Sequence, residues 1–166
     1  STVLKAGDEV SDLLINQTDS RQALVSTYKN GIFKTSDAGA SWKELDGGLK
    51  ALKQSDRVYT MMQSQDSRVV IAASQYGLAR SRDFGETWEG IPLLTSPGQV
   101  AIRAIGMDAK NPNTLYYAAN ATFYRSTDAG ATWSTERFPS SRVPRAMLVD
   151  PVDSAVVYIG VATAIE

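Results

Sequence analysis

Thr35-Ser36-Asp37-Ala38-Gly39-Ala40-Ser41-Trp42 decides the fold, because the chain repeats it twice. The second copy is Ser81-Arg82-Asp83-Phe84-Gly85-Glu86-Thr87-Trp88, and the third is Ser126-Thr127-Asp128-Ala129-Gly130-Ala131-Thr132-Trp133. All three read [ST]-x-D-x-G-x-[ST]-W, and every Trp of the chain closes one of them. The aspartates recur at about 45 residues, the length of one four-stranded blade of a β-propeller. Lys34, Arg80 and Arg125 precede the boxes. Gly31 and Gly77 open the strands leading into the first two, and Thr122 departs from that pattern.

Short β-branched and aromatic runs punctuated by Gly, Asp, Asn and Pro read as strands and hairpins. Blade one is expected over 11–46, with strands at 12–16, 23–28, 31–36 and 41–45. Blade two is expected over 57–92 (58–64, 69–74, 77–82, 87–91). Blade three is expected over 101–138 (102–108, 114–120, 122–127, 132–137). A fourth unit over 144–166 begins at Arg145-Ala146-Met147-Leu148-Val149-Asp150 and continues through Val156-Val157-Tyr158-Ile159. With Val157 aligned on Leu115, Glu166 falls on the Tyr124 position, two residues before a fourth box. No window carries a long 3.6-residue apolar period with caps, so no helix is expected. The fold class is all-β: about three and a half blades of a propeller over 1–166, requiring further blades from the same protein or another copy to close.

The boxes resemble the Asp-box, or BNR, repeats of sialidases, sortilin-type receptor domains, xyloglucanases and photosystem II assembly-factor-like proteins. The resemblance covers nearly the whole chain. It implies that each box forms the hairpin between the third and fourth strands of a blade. It also implies an extracytoplasmic location. It carries little about function, because those families share the box and not the activity.

Elementary chemistry gives the box a structural role. Asp37, Asp83 and Asp128 can accept hydrogen bonds from nearby amides, as in an Asx-turn. Gly39, Gly85 and Gly130 supply the positive φ of a tight turn. Ser41, Thr87 and Thr132 can bond across the hairpin, and Trp42, Trp88 and Trp133 start the next strand and cover an apolar layer. A calcium ion takes six to eight oxygens. Each box offers one acid, with Glu86 added in the second. The box therefore reads as a turn, and no metal or cofactor is expected.

The 166 residues carry a formal net charge of −1 and an ordinary globular composition. Acids and bases are interleaved, which argues against nucleic acid as a partner. No apolar run reaches the ~18 residues of a membrane span. No signal-peptide pattern opens the chain, and a mature chain would have lost one. The chain has no Cys and no His. That excludes disulfides, Cys-ligated zinc, His metal sites and His-dependent triads.

Other residues carry duller readings. Asn16-Gln17-Thr18 and Asn120-Ala121-Thr122 match the N-glycosylation acceptor, a short pattern common by chance. Lys34, Arg80 and Arg125 read as outward-facing strand residues paired with nearby acids, in preference to an anion-gripping ring. A sialidase needs an arginine triad, a Tyr–Glu pair and an acid. Arg57, Arg68, Arg103, Arg142, Arg145 and Tyr59 are available, but the Arg-Ile-Pro-type motif is missing. A xyloglucanase needs two facing carboxylates. Asp108 and Asp150 lie at similar blade positions but read as strand-end turn acids. No residue is assigned as catalytic. The loops Leu93–Gln99 and Phe138–Pro144 follow the last strand of a blade and are candidate contact surface for a protein or carbohydrate ligand. The expected function is a binding or assembly module, the alternative a fragment of a glycoside hydrolase.

Overall fold

A computed structural model describes residues 8–45 and 47–163. Residues 164–166, which include the Glu166 alignment, and Asp46, which closes the expected first blade, lie outside the described residues. The first sheet is β1 (Val10–Ile15), β2 (Ala23–Thr27), β3 (Ile32–Thr35) and β4 (Lys43–Glu44). The second is β5 (Val58–Gln63), β6 (Val70–Ser74), β7 (Leu78–Ser81) and β8 (Glu89–Gly90). The third is β9 (Ala104–Met107), β10 (Leu115–Ala119), β11 (Thr122–Ser126) and β12 (Ser134–Arg137). Each is a four-stranded antiparallel meander in sequence order, and β13 (Val143–Val149) pairs with β14 (Val157–Ala162) as a two-stranded unit. The fold is an all-β partial propeller. One short 3-10 turn, Leu49–Ala51, departs from the helix-free expectation. Leu49 O accepts from Leu52 N at 2.8 Å and from Ser55 Oγ at 2.6 Å.

The strand registers equate positions between blades. Ala23 faces Thr35, Val70 faces Ser81, and Leu115 faces Ser126, so the second and third strands keep one frame in all three sheets. The second strands are buried on both faces, which explains their continuous apolar runs. The core lies between blades. One apolar cluster joins Leu24, Ile32 and Leu45 of the first sheet to Val70, Phe84 and Trp88 of the second. The other joins Ile71, Leu78 and Ile91 to Leu115 and Tyr117 of the third, with Trp133 packed against it. Each sheet thus buries its face against the next, as in repeat architectures whose units contact only their neighbours.

The hairpin turns divide into two ends. The boxes sit at the same end as the β1–β2, β5–β6 and β9–β10 turns. Ala38, Phe84 and Ala129 donate their amides to Arg21 O, Arg68 O and Asn113 O in those turns, at 2.9, 3.0 and 2.8 Å. The β2–β3 and β6–β7 turns meet the inter-blade connections at the opposite end. Gly31 N donates to Asp56 O at 2.8 Å, and Gln75 N donates to Arg57 O at 2.9 Å.

Candidate functional site: a basic groove at the inter-blade connections

The three boxes share one hydrogen-bond pattern. In the second, Thr87 donates through its amide to Asp83 Oδ1 (2.9 Å) and through Oγ1 to Asp83 Oδ2 (2.6 Å). Ser81 Oγ donates to Asp83 Oδ1 (2.8 Å) and accepts from Gly85 N (2.7 Å). The first box repeats this with Thr35, Asp37, Gly39 and Ser41, the third with Ser126, Asp128, Gly130 and Thr132. These donors hold the Asp37 and Asp128 carboxyls down at about 2, the Ser41 and Thr132 hydroxyls contributing most. At Asp83 burial pushes up, and the Thr87 hydroxyl and amide with Ser81 override it, so the net shift is downward. Both oxygens of every box carboxylate are therefore already engaged within the box.

The turn centre holds a detail beyond the glycines. Ala38, Phe84 and Ala129 also have positive φ (59°, 50° and 61°), ahead of Gly39, Gly85 and Gly130. Positive φ at two successive residues is the pattern of a type I′ β-turn, here set inside the seven-residue loop between the third and fourth strands of each blade.

Lys34 and Arg80 do not face outward as expected. Lys34 is 8% exposed, and its Nζ donates to Phe84 O (3.0 Å) and Glu86 Oε1 (2.7 Å) of the next blade's box. Arg80 donates through Nη1 to Ala129 O of the following box at 2.7 Å and through Nε to Glu89 Oε1 of its own blade at 2.9 Å. The basic residue before one box thus caps the turn carbonyl of the next box. The acceptor lies about fifty positions along the chain, which is why a local reading of the sequence could not find it.

The remaining candidates fall to the turns. Asp108 accepts from Lys110 N and Asn111 N, and Asp150 accepts from Val152 N and Asp153 N. Asn16 is buried, and its Oδ1 accepts from the Thr18 amide (2.9 Å), the Thr18 hydroxyl (2.8 Å) and the Asp19 amide (3.2 Å). Asn120 has φ 53° and makes the β10–β11 turn where Gly31 and Gly77 serve the other blades.

At the end opposite the boxes, the two candidate loops converge. A groove of about 470 Å³ runs between Val100 and Ala101 on one side and Ser140–Arg145 on the other, floored by the Asn120 turn. Arg103, Arg142 and Arg145 line it, and no carboxylate does. Arg142 and Arg145 are exposed, and Arg103 is half-buried with its guanidinium 4.3 Å from the centre of the Tyr59 ring. Of the five arginines noted in the sequence, the fold thus gathers three and sets Tyr59 beneath one of them. Arg57 and Arg68 do not line this groove.

The registers show how these side chains are presented. The first strands of three units skip one residue: Ser11, Tyr59 and Arg145 are left unpaired at bulges. Arg103, just before β9, holds the same repeat position, because Met107 pairs with Leu115 as Gln63 pairs with Val70. A bulge re-aims a side chain out of the ladder. One repeat position therefore delivers Tyr59, Arg103 and Arg145 to the same end. Aligning the residues ahead of each first strand would have exposed this position, but its residue types differ from blade to blade and give no motif.

No family model matches the chain. A xyloglucanase from a Paenibacillus species is 26% identical over 147 residues, which cover 66% of this chain. The chain spans 14% of that protein's length. Among solved structures, an ancestral GH74 enzyme superposes with a TM-score of 0.72 at 16% identity, covering 92% of this chain and 22% of its own. YCF48 bound to D1 peptide gives 0.65 at 14% identity, covering 97% and 49%. At these identities the structural likeness carries the fold, and the fold is that of a β-propeller built from four-stranded antiparallel blades.

Proposed function

We propose that this chain is a binding module of the Asp-box propeller type, and that the groove at the inter-blade connections takes an anionic group of a protein or glycan ligand. The single observation that carries the reading is the convergence of Arg103, Arg142 and Arg145 on one groove without a lining carboxylate. Guanidinium groups present planar, forked donors that match carboxylate, sulfate or phosphate oxygens. The Tyr59 ring holds the Arg103 guanidinium through a cation–π contact at 4.3 Å. In this reading the boxes hold the blades together and bind no ligand. An extracytoplasmic location fits solved neighbours that are extracellular domains.

The test is a calorimetric titration with an oligoglutamate peptide, an oligogalacturonate and a neutral xyloglucan oligosaccharide. Binding of either acidic probe, weakened at least about tenfold by Arg142→Ala with Arg145→Ala, supports the reading; a paired charge-assisted contact is worth about 1.5–3 kcal/mol. A second reading, a segment of a carbohydrate-active enzyme, rests on the 26% identity to a xyloglucanase. Tight binding of the neutral oligosaccharide, indifferent to the arginine changes, would favour that reading and count against the anionic groove.

A further inference from the structure

Acids and bases interleave along the sequence, but the fold sorts them to its two ends. At the box end, the turn between the first and second strands of each unit carries an acid: Asp19, Asp66, Asp108 and Asp150. The boxes add Asp37, Asp83 and Asp128. Each of these carboxylates accepts a hydrogen bond from a backbone amide, so the turns themselves demand acids there. Arg21, Arg68, Arg82 and Lys110 are the described bases of the same turns and boxes.

The opposite end reverses the balance. Its connections and turns hold Lys29, Lys53, Arg57 and the three groove arginines, and its described acids are Asp8, Glu9 and Asp56. Lys53, Arg57, Arg142 and Arg145 are exposed, and none pairs with a carboxylate among the described residues. The first two connections form one surface over the β6–β7 turn. Gln75 N donates to Arg57 O and Gly98 N donates to Tyr76 O, both at 2.9 Å. A Cβ at Gly98 would stand 3.0 Å from Gln54 Oε1, and one at Gly77 would stand 3.0 Å from Leu93. Beyond Leu93 the loop projects Leu94, 61% exposed, and Pro97 is exposed further along. Tyr28, in the β2–β3 turn, is 37% exposed at this end.

We infer that the connection end docks on an anionic lipid surface, with Lys53, Arg57 and the groove arginines over the headgroups and Leu94 and Tyr28 at the acyl boundary. Bases near a bilayer are drawn to anionic headgroups, and an apolar side chain among them adds burial in the interface. Tyr suits the same layer, because its ring is apolar and its hydroxyl stays wet. The acids of the box end are repelled by such a surface, so the molecule approaches it connections first. An acidic chain would need only the charges, whereas the projecting Leu94 fits a bilayer. This surface extends beyond the groove proposed above, since Lys53, Arg57 and Leu94 do not line it.

The test is co-sedimentation at low salt with vesicles of phosphatidylcholine, alone or with about one-third phosphatidylglycerol. The chain should bind the anionic vesicles and leave the neutral ones. Lys53→Glu with Arg57→Glu should weaken binding at least about tenfold. Arg68→Glu with Lys110→Glu makes the same change of net charge at the box end, and should leave binding within about twofold. Leu94→Ser should weaken it at least about threefold. Arg103, Arg142 and Arg145 stay in every variant, so failure here is separate from failure of the groove. No binding to the anionic vesicles overturns the inference. So does equal weakening by the two charge pairs, which would make net charge and not this face the determinant. Binding indifferent to Leu94→Ser would make an acidic chain the partner, and would equally overturn it.

Discussion

Tyr117 carries the plainest conflict at the scale of single residues. Its ring stacks on Tyr124 at 4.1 Å and meets Trp133 edge-on at 4.9 Å, yet its hydroxyl is buried with no hydrogen-bond partner. Burial, with a smaller contribution from Tyr124, pushes the phenol well above its ordinary value. The ring is wanted and the oxygen is not. Tyr117→Phe should therefore stabilise the chain by about 1 kcal/mol, since the orphan polar atom leaves and the stacking stays; a urea melt measures it. The box carboxylates make the opposite case, because each is fully satisfied. Asp37 and Asp128 are held at about 2, below the ordinary 3.8. A carboxyl depressed on folding contributes stability that is complete above its unfolded value and is lost as pH falls through its folded value. The melting temperature should thus fall as pH drops from about 4 toward 2. Asn substitution at all three box aspartates should flatten that slope.

Boxes and connections bear the interlock at the scale of elements. Gly47 follows β4 and accepts from Trp88 N at 2.6 Å, and a Cβ there would stand 1.9 Å from Glu86 O. The backbone of one blade's exit therefore touches the backbone of the next box, with no flexible side chain to yield. Gly47→Ala should destabilise by about 1–3 kcal/mol, the cost of overpacking, read as a lower midpoint in denaturant. The turn chemistry of the boxes was legible in the sequence because it is local: Asp, Gly and Ser or Thr satisfy one another within six residues. The positive φ of Ala38, Phe84 and Ala129 was not, because Ala and Phe do not advertise that conformation. Nor was the inter-blade reach of Lys34 and Arg80, whose partners are set by packing. The basic groove was half legible. Its two loops stood out by length and proline, while the bulge position shared by Tyr59, Arg103 and Arg145 carries no common residue type.

At the scale of the whole molecule, the boxes and the groove proposed to bind lie at opposite ends. The central blade has a neighbour on each side, and Trp88 is 7% exposed, while Trp42 and Trp133 are half-buried. Trp88→Ala should cost about 3–5 kcal/mol, a large part of a domain's 5–15 kcal/mol, and Trp42→Ala clearly less. Calorimetric melts of the two variants give the comparison. At the other end, the groove's attraction for an acidic ligand should weaken steeply with added salt, because its arginines face solvent. The measurement that bears most directly on this division is a denaturant melt beside an oligoglutamate titration on Asp83→Ala and on Arg145→Ala. Asp83 is exposed, so its removal should lower stability by about 1 kcal/mol, the low end for unpairing its donors, and leave affinity of the folded chain unchanged. Arg145→Ala should do the reverse, keeping the melt and losing affinity. Unchanged stability with lost binding in Asp83→Ala would contradict the account and make the box a ligand site.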